Sequence, residues 1–238
     1  MNIGGVDTEV LNINANEALI VKKDRIVRSK FIEKTEEYIK RGVDILGALC
    51  GIAILVPITI GVCIANIICK DKGPIFYNTE RIGKDGKKFK MYKFRSMVVG
   101  ADEKLKEYLE QNPEAKKEYK KYKKLKNDPR ITKVGQFIRK TSLDEFPQFI
   151  NVLKGEMSLV GPRPYLPREK EEMETYYSSI VKCKPGVTGF WQTSGRSNTT
   201  FNDRLQMDTE YAYTKTLKTD LKILLKTVKN VVSKEGAI

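Results

Sequence analysis

"ILGALCGIAILVPITIGVCIANIIC", Ile45 to Cys69, is a run of 25 residues without a charge, in which only Thr59 and Asn66 carry polar side chains. A helix rises about 1.5 Å per residue, so the run is long enough to cross a hydrocarbon layer about 30 Å thick. Two readings follow. The first is a single transmembrane helix, which hydropathy alone favours. The second takes account of Pro57 at the middle, where proline removes a backbone donor and clashes with the preceding turn, so that the helix bends or breaks. Each half is then about as long as one leaflet is deep. Both flanks are basic, with Lys34, Lys40 and Arg41 before the run and Lys70, Lys72 and Arg81 after it. Positive-inside reasoning puts both ends in the cytoplasm, and a helix that enters, turns at Pro57 and leaves by the same face satisfies both observations. Asp44 is then expected in the headgroup region near Arg41. A cleaved signal peptide is not expected, because about forty residues precede the run and no small-residue cleavage site is evident.

The 238 residues suffice for one ordinary domain with attachments. The chain contains no histidine. That excludes a Ser-His-Asp triad, imidazole bases and His-ligated metals, and leaves carboxylate, Lys, Tyr, Ser or Cys chemistry. Cys50, Cys63, Cys69 and Cys183 have no CxxC spacing and three of them lie in the apolar run, so neither a zinc site nor a disulfide framework is expected. Lys and Arg number 44 against 30 Asp and Glu, a formal charge of +14 that favours a polyanionic partner: nucleic acid, anionic lipid or a phosphorylated substrate.

Residues 1–40 carry no strong period and are read as an extension of uncertain order. Residues 73–97 hold Ile-, Phe- and Tyr-rich runs around Asp85-Gly86, a tight-turn dipeptide that predicts a β-hairpin. From Ala101 to Lys126 the composition turns to Glu, Lys, Leu and Tyr, with Asn112-Pro113 suited to end one helix and start another, and its charge reads most simply as a solvated face. Leu221, Leu224, Leu225, Val228, Val231 and Val232 recur at helical spacing opposite Lys218, Lys222, Lys226 and Lys229. That helix either packs on the core or lies on an anionic membrane surface.

"TSLDEFPQ", 141–148, sets Asp144 beside Glu145. Ser142 and Glu145 match a capping box, whereas a start with Asp144 as N-cap puts Pro147 inside the tolerated first turn and leaves Phe146, Phe149, Ile150 and Leu153 as one apolar stripe ending at Gly155. In both cases the carboxylates sit at a positive helix end, which lowers their pKa and keeps Asp144 ionised. An ionised carboxylate can attack phosphorus or hold a metal. Phosphate-binding groups surround it in sequence: Arg139, Arg163 between two prolines, and Lys93 and Arg95, whose alternation on a strand points both to one face. "KPGVTGFWQTSGRSNTTF" adds Trp191, Gln192 and Arg196 on a glycine-rich segment, read either as a loop that stacks a base or sugar and grips phosphate or as a structural turn with a buried Trp.

"KFRSM", "NDPRITKVGQFIRKTSLDEFPQFINVLKGEMSLVGPRP" and "KPGVTGFWQTSGR", in that order after a Pro-interrupted apolar run, closely resemble the bacterial sugar transferases, the monotopic polyprenol-phosphate phosphoglycosyl transferases. The resemblance covers roughly residues 36–238. It implies transfer of a sugar-1-phosphate from a UDP-sugar to undecaprenyl phosphate at the cytoplasmic face of the bacterial inner membrane, with release of UMP and a requirement for Mg²⁺. Asp144-Glu145 matches the family's dyad, which implies that Asp144 forms a covalent phosphosugar intermediate and that Glu145 coordinates metal or handles protons. Arg139 and Arg163 match its phosphate-binding arginines. The segments "KEGAI" and "SGRSNTTFNDRLQMD" are similar to exopolysaccharide and O-antigen initiating members, which favours hexose-1-phosphate over acetamidosugars.

The expected fold is α+β and mostly helical: an N-terminal extension (1–35), a re-entrant membrane helix-break-helix (36–72) and a catalytic domain (73–238) with a small hairpin and amphipathic interfacial helices. Candidate partners besides the two substrates are membrane lipids, later glycosyltransferases of the pathway and a second copy of the chain; nucleic acid is not expected. Rival readings are a lipid-diphosphate phosphatase, separable by nucleotide dependence, and a non-enzymatic polyanion-binding module, which predicts that Asp144→Asn leaves function unchanged.

Overall fold

The computed structural model describes residues 30–194 and 199–233. The chain divides into two units, Met1–Arg41 and Gly42–Ile238. The described part of the first is helical from Lys30, and the expected extension over 1–35 falls almost wholly outside the described residues. In chain order the elements are α1 (Lys30–Ile68), β1 (Phe76–Ile82), β2 (Lys88–Phe94), α2 (Ala101–Gln111), α3 (Pro113–Tyr122), α4 (Lys133–Lys140), α5 (Gln148–Lys154), β3 (Ser158–Val160), α6 (Tyr177–Ile180), β4 (Gly186–Thr188), α7 (Phe190–Ser194), α8 (Phe201–Thr214) and α9 (Leu217–Ser233). The described residues are thus mostly helical, with two two-stranded sheets.

Helix α1 is long and apolar enough to cross a membrane. Its second-unit residues nevertheless have an inward stripe: Asp44, Ala48, Leu55, Val62 and Asn66 are all buried, at spacings that keep them on one helical face. Leu46, Leu49, Ile54, Val56, Ile60 and Ile64 are exposed on the other side. Two glycines let the helix approach closely. A Cβ on Gly47 would stand 2.6 Å from Leu159 Cδ1, and one on Gly51 would collide with the Phe149 ring. Asp44, expected near Arg41, turns its carboxylate into the protein instead: its Oδ1 accepts from Ser158 Oγ (2.9 Å) and Leu159 N (2.8 Å), because a buried carboxylate must find donors and β3 supplies them. The expected break at Pro57 is also corrected, since one helix includes that residue. Proline removes one donor, Thr59 Oγ1 donates to Leu55 O (2.8 Å), and Leu55, Ile58 and Val62 pack in one cluster that grips the helix on both sides of Pro57.

The hairpin forms as its turn residues predict. β1 and β2 pair antiparallel from Phe76 opposite Phe94 to Ile82 opposite Lys88, and Asp85 (φ 58°) and Gly86 (φ 75°) take the left-handed conformations that close the turn. β3 and β4 pair in parallel, and their cluster unites Ala48 of α1, Met91 of β2, Val152 of α5, Tyr211 of α8 and Ile223 of α9. α9 does pack on this core through Leu224, but not by the whole stripe its apolar spacing suggests. Asp220, Ile223 and Asn230 are buried, whereas Leu221, Leu225 and Val228 are 58%, 63% and 63% exposed. Hydrogen bonding sets the orientation: Tyr211 Oη donates to Asp220 Oδ1 (2.7 Å), and the Thr188 and Thr227 hydroxyls meet at 2.7 Å. The side chains of Val231 and Val232 lie outside the described residues.

Candidate active site

A cleft of about 620 Å³ opens between the hairpin, the α4–α5 connection and the β4–α7 segment. Strand alternation on β2 places Met91 and Lys93 on its wall. The last turn of α4 supplies Arg139, after which Ser142 turns left-handed (φ 56°) into a 3-10 turn, Leu143–Glu145. Leu143 and Phe146 of this turn pack into the cluster of Phe94 and Ile138, and Asp144 and Glu145 line the cleft.

Neither predicted helix start occurs. Ser142 makes no side-chain cap, and α5 begins at Gln148, directly after Pro147. The short turn leaves Asp144 without an N-cap role, and its carboxyl is held above its ordinary pKa, contrary to the lowering expected. Burial is the main cause, since it penalises the charged form; Lys93 and Arg139 oppose it and Glu145 reinforces it. Lys93 Nζ lies 2.9 Å from Glu145 Oε1 and 3.9 Å from Asp144 Oδ2, so one ammonium bridges both acids.

Arg163 also lines the cleft. Its backbone N and Tyr165 Oη both donate to Asp208 Oδ2 (2.9 and 2.7 Å), and its Nη1 stands 3.7 Å from Glu169 Oε1. Asp208 is fully buried, which pushes its carboxyl up to about 7. Trp191 and Gln192 complete the predicted set on this cleft, with the Arg204 guanidinium 5.0 Å over the indole. The Trp191 Nε1 is buried without a hydrogen-bond partner among the described residues.

Two predicted residues do not join them. Arg196 lies outside the described residues. Arg95 follows the last residue of β2 and its guanidinium is buried elsewhere, donating to Pro74 O (2.6 Å) and Met97 O (3.0 Å) and pairing with Asp71 Oδ1 (2.8 Å). It is a strut between the end of α1 and the hairpin, and it holds the Asp71 carboxyl below its usual range. In "NDPR", Arg130 is spent likewise, binding both oxygens of Asp128 (2.8 and 2.6 Å).

Four cations on the cleft were missed from sequence: Arg81, Lys123, Lys124 and Arg204. Arg81 Nη1 donates to Pro164 O (3.0 Å), and burial with Arg163 nearby lowers its pKa to about 10. Lys124 is lowered to about 8, first by burial, then by Arg204 and Arg139. The lysines belong to a run that composition alone makes look like solvated surface. With Lys93, Arg139 and Arg163 the cleft has seven cationic side chains against two carboxylates, a balance made for polyanions such as diphosphates. Among the described residues no three His, Cys, Asp or Glu side chains group as a metal cage. Asp144 and Glu145 alone suit a hard divalent cation that draws its other ligands from substrate phosphate and water.

Residues 35–234 match the family described as "Bacterial sugar transferase". The chain is 42% identical over 234 residues to an undecaprenyl-phosphate galactose phosphotransferase of Salmonella typhimurium and 42% identical over 230 residues to a UDP-galactose-lipid carrier transferase of Erwinia amylovora, covering in each case 97% of this chain and 47% of the relative. It therefore spans about half the length of those relatives. The exopolysaccharide production protein ExoY of Rhizobium meliloti is 41% identical over 201 residues, 83% of this chain and 87% of that protein.

Proposed function

Since the chain belongs to the bacterial sugar transferase family, we propose that it transfers a hexose-1-phosphate from a UDP-sugar to undecaprenyl phosphate, the initiating step of a cell-surface polysaccharide. The observation that carries the reading is a carboxylate pair, Asp144 and Glu145, set in a cleft whose other charged lining side chains are all cations. The names of two relatives favour galactose as the hexose.

Arg139, Arg163 and Lys93 bind the diphosphate and spread its charge. An Asp144 oxygen attacks the sugar-linked phosphorus; the Asp144 O–P bond forms, the bridging P–O bond to the nucleotide breaks, and UMP leaves with that electron pair. A phosphate oxygen of the lipid then attacks the same phosphorus, releasing the Asp144 carboxylate and forming the lipid diphosphate-sugar. Two displacements at one carboxylate let a soluble donor and a membrane-bound acceptor use the site in turn. Lys93 orients both acids. Mg²⁺, when bound by Asp144 and Glu145, would supply charge neutralisation for the phosphates.

The chain acts from the cytoplasmic face of the inner membrane. Support comes from the basic residues on both flanks of the apolar run, Lys40 and Arg41 before it and Lys70 and Lys72 after it, which favour one-sided association with both ends in the cytoplasm.

The test is to mix nanodisc-embedded protein with Mg²⁺ and UDP-galactose before any lipid acceptor is present. One equivalent of UMP is released and a phosphohexose adduct on Asp144 appears by mass spectrometry; Asp144→Asn abolishes both. Turnover that survives Asp144→Asn rejects the nucleophile, and hydrolysis of a lipid diphosphate without nucleotide supports the phosphatase instead.

A further inference from the structure

The cleft is of mixed character. Beside the carboxylates and cations, Phe146, Phe149, Val187 and Val228 line it with apolar side chains. Phe149 and Val187 rest on the cluster that contains Ala48 of α1, and Gly51 of α1 is close enough to Phe149 that any side chain there would strike its ring. The apolar wall thus backs onto the helix whose outer face is Ile54, Val56, Ile60 and Ile64, all exposed. On the α9 side, Val228 lines the cleft and is itself 63% exposed, so it stands at an opening. Leu225 and Leu221 continue from it at helical spacing, both exposed, for about 10 Å along the helix. The Thr188–Thr227 contact, between two residues of the cleft lining, ties this helix to β4.

We propose that the isoprenoid chain of the acceptor leaves the cleft past Val228 and lies along the Leu225–Leu221 row of α9, with its phosphate among the cations near Asp144. This rests on the function proposed above and concerns only its second displacement. A ligand with an anionic head and a long hydrocarbon tail matches a cleft that combines cations with apolar side chains and whose exposed Val228 continues into an apolar helix face suited to hydrocarbon. A nucleotide sugar has no part that needs this row.

The test uses the exposed, cleft-external positions: a Leu221→Gln, Leu225→Gln double variant in detergent, where membrane recruitment plays no part. UMP release from UDP-galactose is measured first without acceptor, then turnover with undecaprenyl phosphate and with geranyl phosphate. The KM for undecaprenyl phosphate rises roughly tenfold, while that for geranyl phosphate, too short to reach the row, stays within about twofold; Leu221→Met, Leu225→Met restores the wild-type ratio. An unchanged KM ratio, with UMP release intact, overturns the tail route alone. Absence of UMP release from the wild type overturns instead the function on which it rests.

Discussion

Asp144 and Lys124 are tuned by the same physical cause in opposite senses. Burial disfavours charge, so it raises the pKa of the acid and lowers that of the base. For Lys124, at about 8, the sign has a direct consequence: the ammonium is present below that pH and is lost as pH rises through it. The cleft then holds one cation fewer for the diphosphate. The KM for UDP-sugar, followed by initial rates of UMP formation between pH 6.5 and 9.5, should rise above about pH 8. Lys124→Met should start with a higher KM at pH 7 and lack that inflection. An identical pH profile in the variant would assign the inflection to another group. Asp144 and Glu145 were legible in sequence because the adjacent acids and flanking arginines are a local pattern. Their environment was not, since the 3-10 turn that replaces a helix start depends on Leu143 and Phe146 finding a cluster made by α1, β2 and α4.

Helix α1 places two glycines in contrasting surroundings. Gly51 is pressed on Phe149, whereas Gly61 has nothing within 4 Å of where a Cβ would go. Gly→Ala at an unhindered helical position gains about 1 kcal/mol from helix propensity, while forcing a methyl into a packed contact costs roughly 1–3 kcal/mol. Thermal unfolding in detergent should therefore move up for Gly61→Ala and down for Gly51→Ala, and equal shifts would contradict the packing. Gly51→Ala should also weaken turnover, because Phe149 is part of the cleft wall. The hairpin was readable because Asp85-Gly86 dictates left-handed backbone locally. The facing of α9 was not, because Asp220 and Thr227 seek partners on α8 and β4, and those bonds turn Leu221, Leu225 and Val228 outward.

Taken whole, the second unit hangs on α1: Asp44 bonds β3 at one end of the inward stripe and Val62 joins the cluster of Phe94, Val134 and Ile138 near the other. A helix gripped this way carries its domain with it, and the proposal of one-sided membrane association predicts that both flanks face the same compartment. Single cysteines at Lys40 and Lys72 in a cysteine-free background should therefore be labelled together, from one side of sealed vesicles. Labelling from opposite sides would overturn one-sided association and restore a simple span.

The sequence by itself determined the apolar run, the hairpin turn, the dyad with its arginines and the family, because each is written in neighbouring residues whose spacing and chemistry act locally. Only the tertiary structure decided that Arg95 is a strut, that Arg81, Lys123, Lys124 and Arg204 join the cleft, and that Asp44 is a buried tie. A cation or a carboxylate looks alike in any sequence; whether it faces a ligand or a backbone carbonyl is settled by which distant groups must be satisfied once water is excluded.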